Sequence, residues 1–145
     1  LIQKKQFFKG SAMSYIQSFS APVGRILIAM IFLMAGINKI SGYAGTQGYM
    51  DAMGIPGALL PLVIFLEVIG GLAIIFGWKS RPVAFVLAGF SVLTAILFHV
   101  NFANQNEMIM FMKNIAIAGG FLFIVAHGPG AYAIDNLSTT KHESL

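Results

Sequence analysis

Four runs of about twenty mostly apolar residues leave this chain few ways to fold. They lie at 22–40, 58–77, 82–100 and 108–126. Each is long enough to cross the hydrocarbon core of a bilayer as an α-helix. None shows the period-2 alternation of a membrane β-strand, so a barrel is excluded in favour of helices. A cleaved signal peptide accounts for at most one such run. Composition agrees, because 57% of the 145 residues are hydrophobic and only 10% are charged. A water-soluble domain of this length needs more charge to cover its surface. The expected fold class is all-α, a transmembrane four-helix bundle filling 22–134, between an N-terminal segment at 1–21 and a polar, mobile tail at 135–145. Residues 1–12 read as a tag or upstream sequence, with Met13 the expected natural start.

Punctuation supports these bounds. Pro22 and Pro82 are expected in first helical turns, where a missing N–H costs nothing. Pro56 and Pro61 bracket the entry to the second run, and Gly77 and Gly128-Pro129-Gly130 are stops. The Lys and Arg residues divide unevenly between the two sides. Lys4, Lys5, Lys9, Arg25, Lys79, Arg81 and Lys141 fall on one, against Lys39 and Lys113 on the other. The positive-inside rule then places both termini in the cytoplasm and turns the 42–57 and 101–107 loops outward. The net charge of +4 comes from dispersed residues flanking apolar runs, which suits a lipid surface and not nucleic acid. With no cysteine, disulfides, thiol relays and Cys-bound clusters are excluded.

Ionisable residues inside a span carry the functional signal, because each is costly in lipid. Glu67 sits near the middle of the second run, so it must be paired or carry a proton. Gly70 and Gly71 fall on its helix face and admit a close neighbour. In the expected topology Asn38, Lys39, His99, Asn101, Lys113 and Asn114 converge on the same outer half of the bundle. Glu67 and His99 are the candidate proton-exchanging residues, and Asn38, Lys39, Asn101, Lys113 and Asn114 the candidate ligand-binding ones. Each also has a plain structural reading. Lys39 can snorkel to lipid phosphate, Asn101 can cap a helix, and Glu67 can pair with Lys39 or Lys113 to fix the bundle. His99 and His127 fall at opposite faces, which argues against bis-His haem. Met108, Met110 and Met112 point in different directions on a helix, so no metal site is expected. Trp78 reads as an interfacial anchor.

The pattern resembles the DoxX family of small four-helix membrane proteins, from about Gly24 to Asp135. The resemblance rests on Arg25, Ala35-Gly36-Ile37-Asn38-Lys39-Ile40, Gly42-Tyr43, Tyr49-Met50, Met53-Gly54-Ile55-Pro56, Glu67 with Gly70-Gly71, Gly77 before Arg81, His99, and Gly128-Pro129-Gly130 with Asp135. It implies an inner-membrane protein attached to redox chemistry, with quinone as a borrowed cofactor and nothing bound covalently. It also implies a membrane redox partner or self-association. With that resemblance beside the residues, three roles are expected. The first is a quinone-interacting oxidoreductase component, with Lys39, Asn38 or His99 donating to the headgroup and Glu67 exchanging protons. The second is a scaffold or accessory subunit packed through Gly70, Gly71, Ala84, Ala88, Ala116 and Gly120. The third, ranked last, is a small transporter, because no broken helix is visible.

Overall fold

The structure, a computed structural model, describes residues 2–139, with side chains described at residue 10 and at residues 12–138. The described residues form helices α1 (Ile2–Ser41), α2 (Tyr43–Ala52), α3 (Leu60–Phe76), α4 (Ser80–Phe98), α5 (Gln105–His127) and α6 (Asp135–Thr139), with a 3₁₀ turn at Gly57–Leu59. Four stretches are long and apolar enough to cross a membrane: Ala12–Ser41, Gly57–Phe76, Ser80–Phe98 and Gln105–His127. The chain is thus a transmembrane four-helix bundle in contact with lipid.

The first helix differs from expectation. Pro22 does not open it but lies inside a 40-residue helix. Its missing N–H removes one bond, to the Ser18 carbonyl, while unbroken helix on both sides holds the line through it. At 1.5 Å per residue α1 is about 60 Å long, twice the hydrocarbon thickness, so it projects beyond the bilayer.

The helices pack as two antiparallel pairs, α1 with α3 and α4 with α5, joined where α3 meets α4. Small residues set the first contact. A β-carbon on Gly36 would stand 2.6 Å from Val68 Cγ2 and 3.1 Å from Glu67 Cβ, and one on Gly71 would meet Ala29 O and Leu33 N at 3.4 Å. The glycines therefore let α1 and α3 approach almost backbone to backbone. Of the residues expected to pack helices closely, Gly70 faces Leu87, Gly120 faces Ile28, and Ala84 and Ala88 are buried, whereas Ala116 is exposed. Ala29, Phe32, Ile74, Leu87, Ala118 and Phe121 form the centre of the core. There Phe32 of α1 meets Phe121 of α5 edge-on, with ring centroids 5.3 Å apart.

At one end the segment after α5 folds back under the bundle. Arg25, only 2% exposed, donates from Nη1 to Pro129 O at 2.8 Å and from Nη2 to Tyr132 O at 2.7 Å. Gly77 ends α3 with φ of +69°, and its carbonyl accepts from Asp135 N while Phe76 O accepts from Ile134 N. Asp135 accepts from Lys79 N at 2.7 Å and Ser80 N at 2.8 Å. Asp135 is thus an anchor and not the start of a free tail, because its carboxylate satisfies backbone donors at the entry to α4. Residues 140–145, the rest of the expected tail, lie outside the described residues, as does the side chain of Lys141.

Candidate functional site

The other end of the bundle contains a cavity of about 480 Å³ beside α3 and α4. The 42–57 segment, expected to be a loop, contains α2 and lines this cavity with Thr46, Tyr49 and Met50. Two bonds fasten α2 to the start of α3: Gly57 N donates to Asp51 Oδ1 at 2.7 Å, and Gln47 Nε2 donates to Gly57 O at 3.3 Å. Tyr49 stacks on Phe98 of α4, with centroids 5.7 Å apart. Leu62, Leu66, Phe90 and Leu97 line the cavity from α3 and α4, so most of its wall is apolar.

Lys39, Glu67 and His99 border it. Lys39 Nζ donates to Glu67 Oε1 at 2.9 Å, linking the end of α1 to the middle of α3. Glu67 is 5% exposed, and its second oxygen, Oε2, is buried without a hydrogen-bond partner. A buried carboxylate oxygen with spare acceptor capacity is costly to leave unmatched and is suited to meet a donor on a ligand. His99 follows the last residue of α4, and its Nδ1 lies 2.7 Å from Glu107 Oε2 near the start of α5. A carboxylate only accepts, so the Nδ1 proton points to Glu107 and Nε2 is the ring nitrogen left for another partner.

The remaining sequence candidates sit elsewhere. Asn38 and Asn101 are exposed and do not line the cavity. Lys113 is exposed on α5, and Asn114 donates Nδ2 to Met110 O at 3.0 Å within its own helix. Of the seven residues proposed from sequence, the fold brings Lys39, Glu67 and His99 together. Lys39, not Lys113, is the amine that pairs with Glu67. Sequence reasoning passed over Glu107 as a partner and α2 as a wall of the site. The second had a readable signal, since Tyr43, Gln47 and Met50 recur at helical spacing. Arg25 and Asp135 were noted without the latch they build. Asp135 is pushed up by burial, but the backbone and side-chain hydrogen bonds from Ser80, the Lys79 N–H and the Arg25 charge outweigh that and hold its carboxyl below the usual range.

A four-span bundle with the Lys39–Glu67 pair set against a mostly apolar cavity defines a small helical membrane protein. The DoxX family profile matches residues 21–100, and the chain belongs to the DoxX family. It is 54% identical over 129 residues to the inner membrane protein YqjF of Escherichia coli (strain K12), covering 89% of this chain and 99% of that protein. It is 34% identical over 120 residues to the inner membrane protein YphA of the same strain, covering 78% and 86%. A Bacillus subtilis (strain 168) protein named "Putative oxidoreductase CatD" is 30% identical over 73 residues, half of this chain and 54% of its own length. No solved structure matches.

Proposed function

We propose that this chain is a quinone-interacting component of a redox system in the inner membrane. The observation that carries the reading is the apolar cavity bordered by Lys39, Glu67 and His99, with Glu67 Oε2 lacking a partner. A quinone has a flat ring with two carbonyl acceptors and an apolar tail. Lys39 Nζ retains N–H groups beyond the one it gives Glu67, and these can donate to a quinone carbonyl. Stacking on Tyr49 and Phe98 and contact with the leucines suit the ring and tail. Conversion to the quinol takes two electrons and two protons. In this reading Glu67 and His99 exchange the protons, and a membrane redox partner supplies the electrons. The name of the Bacillus relative, an oxidoreductase, supports the redox class. The inner-membrane location follows the two Escherichia coli relatives.

The orientation belongs to the same proposal: both termini cytoplasmic and the cavity in the outer half. Its support is the Lys and Arg distribution. Because the chain has no cysteine, single cysteines at Gln105 and Ser138 test it directly. An impermeant thiol reagent added to intact cells should label Gln105→Cys and spare Ser138→Cys, and the reverse pattern inverts the topology.

The central test is quinone content. Protein extracted in mild detergent should carry about one quinone per chain by mass spectrometry, and Glu67→Gln and His99→Ala should carry at least ten-fold less while remaining folded. A wild-type content no higher than that of an unrelated membrane protein rejects the quinone reading. One observation favours a second reading, a scaffold subunit: the Lys39–Glu67 pair bridges α1 and α3. In that case Glu67→Gln lowers thermal stability and yield of a partner complex, with no quinone to lose.

A further inference from the structure

At the end of the bundle away from the cavity, two recesses meet along one edge. The first is a groove of about 460 Å³ bordered by α1 and α5, where Gly24, Ile28, Gly120 and Phe123 give it an apolar wall. The second, about 910 Å³, is more polar and is bordered by Lys79, Arg81 and Asp135. His127, Gly128, Pro129 and Gly130 border both, so the apolar groove runs into the polar recess across this strip.

The charges in the recess are unequal in availability. Both Asp135 oxygens accept backbone N–H groups, from Lys79 and Ser80, so this carboxylate is committed to the fold. Arg81 is exposed and uses Nη1 on the last carbonyls of α5, Val125 O at 3.2 Å and Ala126 O at 3.3 Å. That leaves the edge formed by Nε and Nη2, two parallel donors that match two oxygens of a phosphate. A β-carbon at position 128 would lie 3.4 Å from Nη2 and 3.5 Å from Nε, so glycine keeps this edge uncovered. Lys79 stands beside it, its Nζ 5.2 Å from the Trp78 ring, and Trp78 is exposed, as expected of an aromatic residue at headgroup depth.

We propose that this is a binding site for an anionic phospholipid, with the phosphate on the Nε–Nη2 edge of Arg81, Lys79 and His127 around it, and an acyl chain along the α1–α5 groove. Two features select a lipid over a soluble phosphate: the apolar groove continues from the polar recess, and its walls come from two stretches long and apolar enough to cross a membrane, Ala12–Ser41 and Gln105–His127. The site is independent of the quinone cavity.

Native mass spectrometry of the full chain in detergent tests it, with phosphatidylglycerol and phosphatidylcholine of identical acyl chains as probes. Phosphatidylglycerol should bind at least ten-fold more tightly than phosphatidylcholine. Arg81→Gln should reduce that preference to within about two-fold. Because Arg81 also contacts α5, His127→Leu provides a second variant, with a drop in preference of about three-fold expected. Gly24→Leu puts a side chain into the groove at a position where a β-carbon meets nothing within 4 Å, and should weaken both lipids. Gly119→Leu, with equally open space but outside the groove, should weaken neither. Equal retention of the two lipids by wild type overturns the proposal. So does an undiminished preference in both charge variants, an effect of Gly119→Leu equal to that of Gly24→Leu, or displacement of phosphatidylglycerol by an equal concentration of soluble glycerol phosphate.

Discussion

The two ends of the bundle hold buried charge in opposite ways. At the Arg25 end a guanidinium gives its two Nη groups to backbone carbonyls and leaves only Nε unmatched. The carboxylate of Asp135 faces backbone donors in the same way. These bonds stitch a returning segment to the bundle, and little capacity is left over. At the Lys39 end two side chains meet each other instead, beside an open cavity, and one carboxylate oxygen has no partner. The lesson concerns what a charge is matched with. Backbone carbonyls and N–H groups are fixed by the helices and turns that carry them, so charge spent on them closes structure. Side-chain partners can be shared with a third group, so charge spent on them can serve a ligand.

The largest expected effect tests the closing end. Arg25→Leu removes the donor from two part-buried carbonyls, Pro129 O and Tyr132 O, and should cost about 2–4 kcal/mol, read as loss of thermal stability and faster proteolysis after α5. Wild-type stability in this variant would erase the contrast. Next, Lys39→Met leaves Glu67 buried without its cation and should cost about 2–3 kcal/mol, toward the low end because Lys39 is partly exposed. The double variant Lys39→Met/Glu67→Gln should be more stable than Lys39→Met alone, and a simple sum of the two losses in unfolding experiments would mean the pair is not coupled. Gly36→Leu forces a side chain into Val68 and should cost about 1–3 kcal/mol by overpacking. It should also separate Lys39 from Glu67, so quinone content is expected to fall along with the melting temperature.

The smallest effect is a pH dependence. The Asp135 carboxyl is depressed in the folded chain, so its stabilisation is fully present above the unfolded carboxyl value, about pH 4, and is lost as the pH falls through the lower folded value. Asp135→Asn should therefore sit about 1 kcal/mol below wild type at pH 7 after allowance for solvent screening, with the gap closing toward pH 3. Melting curves at pH 7, 5 and 3 check the sign. A gap that widens in acid contradicts the assignment.

The four spans were legible because lipid imposes a length and composition that local sequence must satisfy by itself. Glu67 was legible for the same reason, being an acidic residue in the middle of an apolar run. Its partner was not, since Lys39 and Lys113 stand on different helices and only the packing of α1 on α3 chooses between them. α2 escaped notice because ten residues containing Gly45 and Gly48 look like a loop, and its helix is held by Asp51 and Gln47 reaching to Gly57, a contact outside the helix itself. Pro22 misled for a related reason: proline is a reliable boundary marker in water but a tolerated interior residue in a membrane helix. The latch was hidden because Arg25 and Asp135 are far apart in sequence and act on backbone groups, which have no signature in side-chain pattern.

One consequence of the long first helix concerns mechanics. Arg25 and Lys39 ride on the same continuous rod, about 21 Å apart along its axis. Any slide or twist of that rod against α3 therefore moves both at once and in the same sense. The latch at Pro129 and Tyr132 and the ion pair at Glu67 therefore share one support, and a change in the seating of α1 at either reaches the other.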